Sequence, residues 1–458
     1  MATIALSDIS SVLKDVYEPG IKSQINQRAK LYVLVGKSAR MKAGGTETVF
    51  NVKLSPNTDV ISLPDGARLP DGGQTTTTKG TVGMRGHYGV FRLSQRAMYA
   101  AMDNEQAFVN LFELEADSLA KTIAQKFNRD MYGDGSGILC EVAANVSTST
   151  TITCKAAPDG DLTGAATEEI GADGTRYLIP GQKIAIGTAS TLAGNSGWTY
   201  RTVSSVTNRT SFVVNTSTTL TGITEGTPQY VVRCSGNSTT DGDNTEFGLN
   251  ASGVYTEANQ RVITGLKAIV DDGETARYLH GINHALWQSQ YLDAAAITYD
   301  DITGAPNALV ELTQDLIQQL FDAVDENASD DSEGVEWLCS HYSLTRQYTD
   351  LLRPDTRYAP QKLTGGYTKL TYAGGVREVP WFVDRDCTYN RLYAGGLDAI
   401  RIVEQRKAGF ERKGGGVVKV IDRYDSIDAR WVHYWNTACI NRGRLGVIPN
   451  IRVTGLRQ

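Results

Sequence analysis

A long Thr- and Gly-rich hairpin running straight into one long amphipathic helix is the pattern that most restricts what this chain can fold into. The run Thr46 to Leu54 alternates, with Thr48, Phe50, Val52 and Leu54 on one face, as a half-buried strand does. A doubled turn signal follows. Leu63-Pro64-Asp65-Gly66 recurs as Leu69-Pro70-Asp71-Gly72 with Arg68 between, and each copy supplies a Pro of fixed φ and a Gly that accepts positive φ. The return run through Val82, Met84, Tyr88, Val90 and Leu93 closes the predicted hairpin. Two strands alone are marginal in water, so such an arm has to lie on something else. No neighbouring segment reads as a covering layer, which makes a second copy of the chain the natural support.

The helix comes next. Asp103-Asn104-Glu105-Gln106 fits a capping box, after which Phe108, Phe112, Ala116, Leu119, Ile123, Phe127 and Met131 recur at spacings of three and four up to Gly133. At 1.5 Å per residue such a run spans on the order of 40 Å, enough for a structural spine, although an ordinary domain helix has the same pattern. Phe108, Phe112, Leu119, Ile123 and Phe127 are its predicted core face.

Composition narrows the class. The 458 residues are 41% hydrophobic and 21% charged with a formal charge of −6, which is the balance of an ordinary soluble protein of two or three domains. The longest apolar runs, such as Leu31 to Val35, fall far short of the ~20 residues of a membrane helix, and the first residues have neither the basic region nor the apolar core of a secretory signal. Synthesis in a cytoplasm and no membrane partner are expected. The six cysteines form no Cys-x-x-Cys pair, so they read as reduced thiols, not as a zinc site or disulfide framework.

Along the chain, residues 1–42 form a locally basic arm, which suits contact with nucleic acid, with an acidic partner, or simply with water across an acidic neighbour. Residues 43–93 are the hairpin and 94–137 carry the helix. From 138 to 253 the composition turns to Ser, Thr, Asn and Gly with short β-branched runs (Thr150–Thr153, Lys183–Ile186, Ser211–Val214, Gln229–Arg233), which predicts an inserted all-β barrel or sandwich. Residues 254–305, 306–400 and 401–458 mix helices and strands, with a helix predicted over Asn307 to Glu326 and strands at Lys369–Tyr372, Pro380–Val383, Leu392–Ala394, Val417–Ile421 and Trp431–Trp435. The fold class is α+β.

Chemical motifs fail on inspection, so no catalytic residue, metal ligand or cofactor is predicted. Val35-Gly36-Lys37-Ser38 imitates the end of a phosphate loop, but Leu31 stands where the first glycine belongs. His280 and His284 have zinc-protease spacing, yet Gly281 replaces the general-base Glu. A structural pair is the plainer reading. Asp241-Gly-Asp243 begins like a calcium loop, but Glu246 occupies the turn-glycine position. Ser136 has Asp134 two residues before it, where a nucleophile elbow needs glycine.

The order of elements nevertheless resembles a known family. A basic N-arm, a hairpin with Pro-Asp-Gly tips, a long helix ending in Asn128-Arg-Asp-Met-Tyr-Gly133, then Gly265 to Gly273, Leu279 to Ile282, Trp337 to Ser340, Leu370 to Gly375, Val379 to Asp386 and Leu392 to Gly396 are similar to the major capsid proteins of tailed bacteriophages, with the Hong Kong 97-like fold. The resemblance covers most of 1–137 and 254–458, and the 138–253 block departs from it as an insertion. It implies an extended loop over 43–93 that reaches a neighbouring subunit, a spine helix over 103–132 in a peripheral domain, and an axial domain within 306–400. It further implies pentamers and hexamers in an icosahedral shell, scaffolding, portal and in some cases decoration proteins as partners, packaged double-stranded DNA held without sequence specificity, and a place in the virion. Covalent Lys–Asn cross-links occur in the family, but no local motif around Lys53 or Lys79 carries that property over. A β-rich tail or receptor-binding protein, or a hydrolase built on His280 and His284, are the alternatives.

Overall fold

The computed structural model describes residues 30–36, 41–65, 68–69, 72–94, 105–155, 174–194, 197–221, 223, 228–236, 245–252, 259–270, 278–283, 287–292, 310–327, 334–352, 371–374, 377–411, 418–420 and 425–452, with backbone alone at 30, 105–114, 371, 373–374, 377 and 418–420. Most of the basic arm, Gly66, Pro70, Asp71, Asp103, the Phe108 and Phe112 side chains, Lys37, Ser38, Asp241–Asp243, Asn307 and His284 lie outside the described residues. The chain divides into two compact units. One comprises Met1–Thr48, Val82–Met131 and Ile400–Ala438, and the other Val49–Thr81, Tyr132–Ala399 and Cys439–Gln458. The mixture of helices and strands is α+β.

The N-terminal elements are α1 (Lys30–Val35), β1 (Met41–Lys42), β2 (Glu47–Ser55), β3 (Thr76–Gly83), β4 (Arg85–Ser94) and α2 (Glu105–Tyr132). β2 and β3 form a two-stranded sheet of their own. The predicted return strand therefore splits at Met84. Its second half, β4, leaves the hairpin and pairs residue for residue with a strand from the far end of the chain, Ser94 with Ser426 through Arg85 with Trp435.

Next come β5 (Ile138–Glu141), β6 (Val146–Thr153), β7 (Lys183–Gly187), the short α3 (Ala189–Ala193), β8 (Thr199–Val206), β9 (Ser211–Leu220) and β10 (Tyr230–Arg233). They form an antiparallel sheet in the order β5-β10-β7-β8-β9-β6. A bridge between Val142 and Cys154 joins the two outer strands, so the sheet closes into a six-stranded barrel. Closure removes exposed edges, and the interior fills with Ile152, Ile184, Ile186, Val203, Phe212, Val214 and Val231. On the outside, Trp198, Leu192, Phe247 and Leu249 cover Ala185, Tyr230 and Val232.

The rest of the chain gives α4 (Leu266–Ile269), β11 (Tyr278–Leu279), β12 (Ile282–Asn283), β13 (Gln290–Tyr291), α5 (Gln314–Glu326), β14 (Trp337–Ser340), α6 (Tyr342–Leu352), β15 (Thr371–Gly374), β16 (Arg377–Val383), β17 (Leu392–Gly395), β18 (Ile400–Phe410), β19 (Val418–Val420), β20 (Ser426–Cys439) and β21 (Leu445–Ile448). A mixed sheet runs β13-β21-β17-β14-β16-β15. α5 lays Leu316, Ile317, Leu320, Phe321 and Val324 into its core, and Gly446 on β21 leaves room for Leu320 and Val324. α5 starts at Gln314, later than the apolar spacing implied. Thr313 caps it by accepting from the Leu316 N–H, while Val310 is committed to a bridge with Ile451. Arg442 is fully buried and donates to the Ile269 and Trp287 carbonyls at 2.6 and 2.8 Å, which ties the end of α4 to the segment before β13.

In the other unit, β20 is central. β4 occupies one edge, and β18 and β19 share the other, with β1 outermost beside β18. α2 packs on this sheet through Ala116, Ala120, Ile123, Ala124 and Phe127, and a Cβ at Gly89 would meet Leu119 and Ile123 at 2.9 and 3.0 Å. Phe127 sits in an aromatic cage of Tyr32, His87, Trp431, His433 and Trp435, at centroid distances of 6.2, 5.1, 5.7, 5.5 and 5.1 Å. Such pairs contribute about 0.5–1.5 kcal/mol each beyond burial.

Candidate functional site

The arm is the feature whose geometry asks for a partner. Its base is supported by its own chain, through segments far along the sequence and not by those beside the arm. Phe50 and Val52 on β2 and Val82 on β3 are buried. The Phe50 ring stands edge-on to His280 at 5.8 Å and lies 6.4 Å from Trp287, while the absence of a side chain at Gly80 admits it from the other strand.

His280 owes this place to a tight hairpin. β11 and β12 are joined by His280 and Gly281, both with positive φ (54° and 77°), as a two-residue primed turn requires. The turn carbonyl of His280 accepts from the Thr81 N–H at 2.8 Å, and its Nε2 accepts from the Cys439 N–H at 3.1 Å. This histidine is a buried structural group committed at two points. Among the described residues, no group of three or more His, Cys, Asp or Glu side chains is placed to hold a metal ion.

Beyond the base the arm changes character. Asn57 pinches the loop neck by donating to the Gly73 carbonyl at 3.0 Å and accepting from the Asp59 N–H at 3.0 Å. Past that neck, Val60 and Leu69 are 90% and 77% exposed, and Ile61 and Leu63 are exposed as well. Of the predicted tip residues, Pro64, Asp65, Arg68 and Gly72 are described and exposed. The signal that sequence reading passed over lies beside them: the apolar Val60 and Ile61, 90% and 60% exposed.

Of the predicted helix residues, Ile123 and Phe127 are buried and Leu119 is half-buried against Gly89, so this face serves packing within the subunit.

A second notable arrangement moors the barrel. Arg176 donates to the Arg385 carbonyl and to that of Cys387 at 3.1 Å, and the Tyr177 hydroxyl donates to the Asp386 carbonyl at 3.2 Å. The Arg176 and Arg209 guanidiniums lie 4.4 and 5.0 Å from the Tyr389 ring centre, and His341 packs edge-on to the same ring at 4.5 Å. Burial, followed by the charges of Arg176, Arg209 and Arg346, lowers His341 from 6.5 to about 3. It is neutral at physiological pH.

No model of a known protein family matches the sequence, and no curated protein does. Among solved structures, the chain is similar to the capsid asymmetric unit of cyanophage A-1(L), at 12% identity and a TM-score of 0.44, over 93% of each chain. The capsid of the empty GTA particle gives 9% identity and a TM-score of 0.42 over 93% of this chain and 90% of that one. The satellite phage P4 procapsid that includes the Sid protein gives 6% and 0.38 over 96% and 92%. All three are capsid structures.

Proposed function

We infer that this chain is the major capsid protein of a tailed-phage-like particle, assembling as pentamers and hexamers into an icosahedral shell around double-stranded DNA. The observation that carries the reading is the arm: a base anchored on its own subunit and a tip that presents Val60, Ile61, Leu63 and Leu69 to water. Exposed apolar side chains gathered in one loop are what an interaction surface presents. A tip that docks elsewhere on an identical chain makes a heterologous contact, and such contacts propagate into rings and lattices instead of ending at a dimer.

The acidic total suits the interior task. With a formal charge of −6 the shell contains DNA without gripping it throughout, since every phosphate neutralised by Lys or Arg adds salt-sensitive affinity. Catalysis has no part in this reading; the buried histidines and carboxylates serve packing. Scaffolding and portal proteins, and DNA inside the shell, are the partners it entails, and the virion is the resulting location.

The test is negative-stain electron microscopy of the purified protein together with sedimentation. Closed particles tens of nanometres across are the expected result. Monomers or small rings, persisting after co-expression with the neighbouring genes, would overturn the reading.

A further inference from the structure

The seams of the barrel are unequal. β7 meets β8 and β10 through four residue pairs each, and β6 meets β9 through five. The closing seam has only the bridge between Val142 and Cys154. It is flanked by the Ala143 N–H donating to the Thr153 carbonyl at 2.8 Å and the Lys155 N–H donating to the Glu141 carbonyl at 2.9 Å. An ion pair of Lys155 with Glu141, at 2.7 Å, adds to it. Cys140 lies two residues before Val142 and therefore faces the same side of the sheet. Its sulfur is 3.0 Å from that of Cys154, and both side chains belong to the barrel's buried core.

We propose that Cys140 and Cys154 form a disulfide that makes the closing seam of the barrel covalent. Sulfurs in a disulfide are about 2.0 Å apart, so bonding needs only about 1 Å of further approach. The oxidant is a small-molecule disulfide of the glutathione class, encountered outside a reducing compartment. One cysteine gives up its proton and its sulfur attacks the small disulfide, releasing one small thiolate that takes up that proton. The second cysteine, deprotonated in turn, attacks the mixed disulfide and releases the other small thiol. Two protein thiols are oxidised and one small disulfide is reduced to two thiols.

Access sets the rate. Burial, followed by the hydrogen bond shared with Cys154, raises the Cys140 thiol well above its ordinary value. Thiolate therefore forms when the seam opens, and the bond traps the seam once it has closed again. The chemistry belongs to the chain itself and is independent of what the chain assembles into.

The experiment incubates the full-length protein with oxidised glutathione, in buffer and in sub-denaturing urea, then maps an unreduced digest by mass spectrometry. A peptide linking Cys140 to Cys154, formed faster in urea, is the expected product. The oxidised protein should unfold at a higher temperature than the reduced protein, and reductant should reverse the shift. Cys154→Ser should form no such link and show no shift; if that variant fails to fold, the reversible wild-type shift still decides. Intact thiols or unlinked glutathione adducts in both conditions would overturn the proposal, as would a link that leaves the unfolding temperature unchanged.

Discussion

The arm and the barrel draw on the same stock of Thr, Ser, Gly and β-branched residues. The barrel turns Ile152, Ile184, Phe212 and Val214 inward and joins its own outer strands, whereas the arm stops at two strands and leaves Val60, Ile61 and Leu69 in water. The difference lies in closure, not composition. A sheet that closes satisfies its apolar face within one chain. One that does not close has to borrow a surface, and Phe50 on His280 shows the borrowing beginning inside the subunit.

The contrast can be broken most sharply at the tip. Replacing Val60, Ile61 and Leu69 together by Ser should abolish assembly, seen as loss of fast-sedimenting particles. The melting of the unassembled subunit should change little, since exposed substitutions usually stay within about 0.5 kcal/mol. Intact shells from this variant would remove the tip from the contact. The barrel should behave in the opposite way. Phe212→Ala empties a fully buried position and should cost about 3–5 kcal/mol in denaturant unfolding, without altering the arm.

Smaller effects refine the comparison. At the arm's base, Gly80→Ala puts a methyl 2.5 Å from the Phe50 ring and should cost about 1–3 kcal/mol of subunit stability, because the ring has to leave its place beside His280. At the barrel's mooring the lever is pH. His341 binds its proton at about 3 in the folded state against 6.5 when unfolded, so the unfolded chain takes up the extra proton between those values. The stability it contributes is fully present above pH 6.5 and is lost as pH falls toward 3. His341→Gln should flatten the dependence of unfolding free energy on pH across that window, by well under the ideal ~1.4 kcal/mol per unit because the ring is part-exposed. An unchanged slope would place the acid sensitivity elsewhere.

Local patterns were legible in the sequence and distant partners were not. The β-branched runs at Thr150–Thr153, Lys183–Ile186, Ser211–Val214 and Gln229–Arg233 fall on strands, with Gln229 one residue before its strand; β7 and β10 are covered on both faces and so read as continuous apolar runs. The long helix likewise announces itself by its own spacing and ends before Gly133. Three things were hidden. The buried face changes phase at Met84, from Gly80 and Val82 to His87, Gly89, Phe91 and Leu93, so that Tyr88 and Val90 are exposed, and nothing in those residues names β20 as the new partner. The start of α5 depends on Val310 being held by Ile451, a bridge invisible to helical periodicity. The covering of Phe50 comes from a turn more than 200 residues later, in a His-Gly pair whose sequence carries no sign of that contact.

The pairing of β4 with β20 also sets a clock. Val90 faces Arg430, so the strand made early waits for 340 further residues before its neighbour exists. At roughly 5–20 residues per second that wait lasts roughly 20–70 s. Within it, the barrel strands, contiguous in sequence from Ile138 to Arg233, already have all their partners. Translation thus orders the events: every strand of the barrel exists well before the sheet under the long helix receives its central strand.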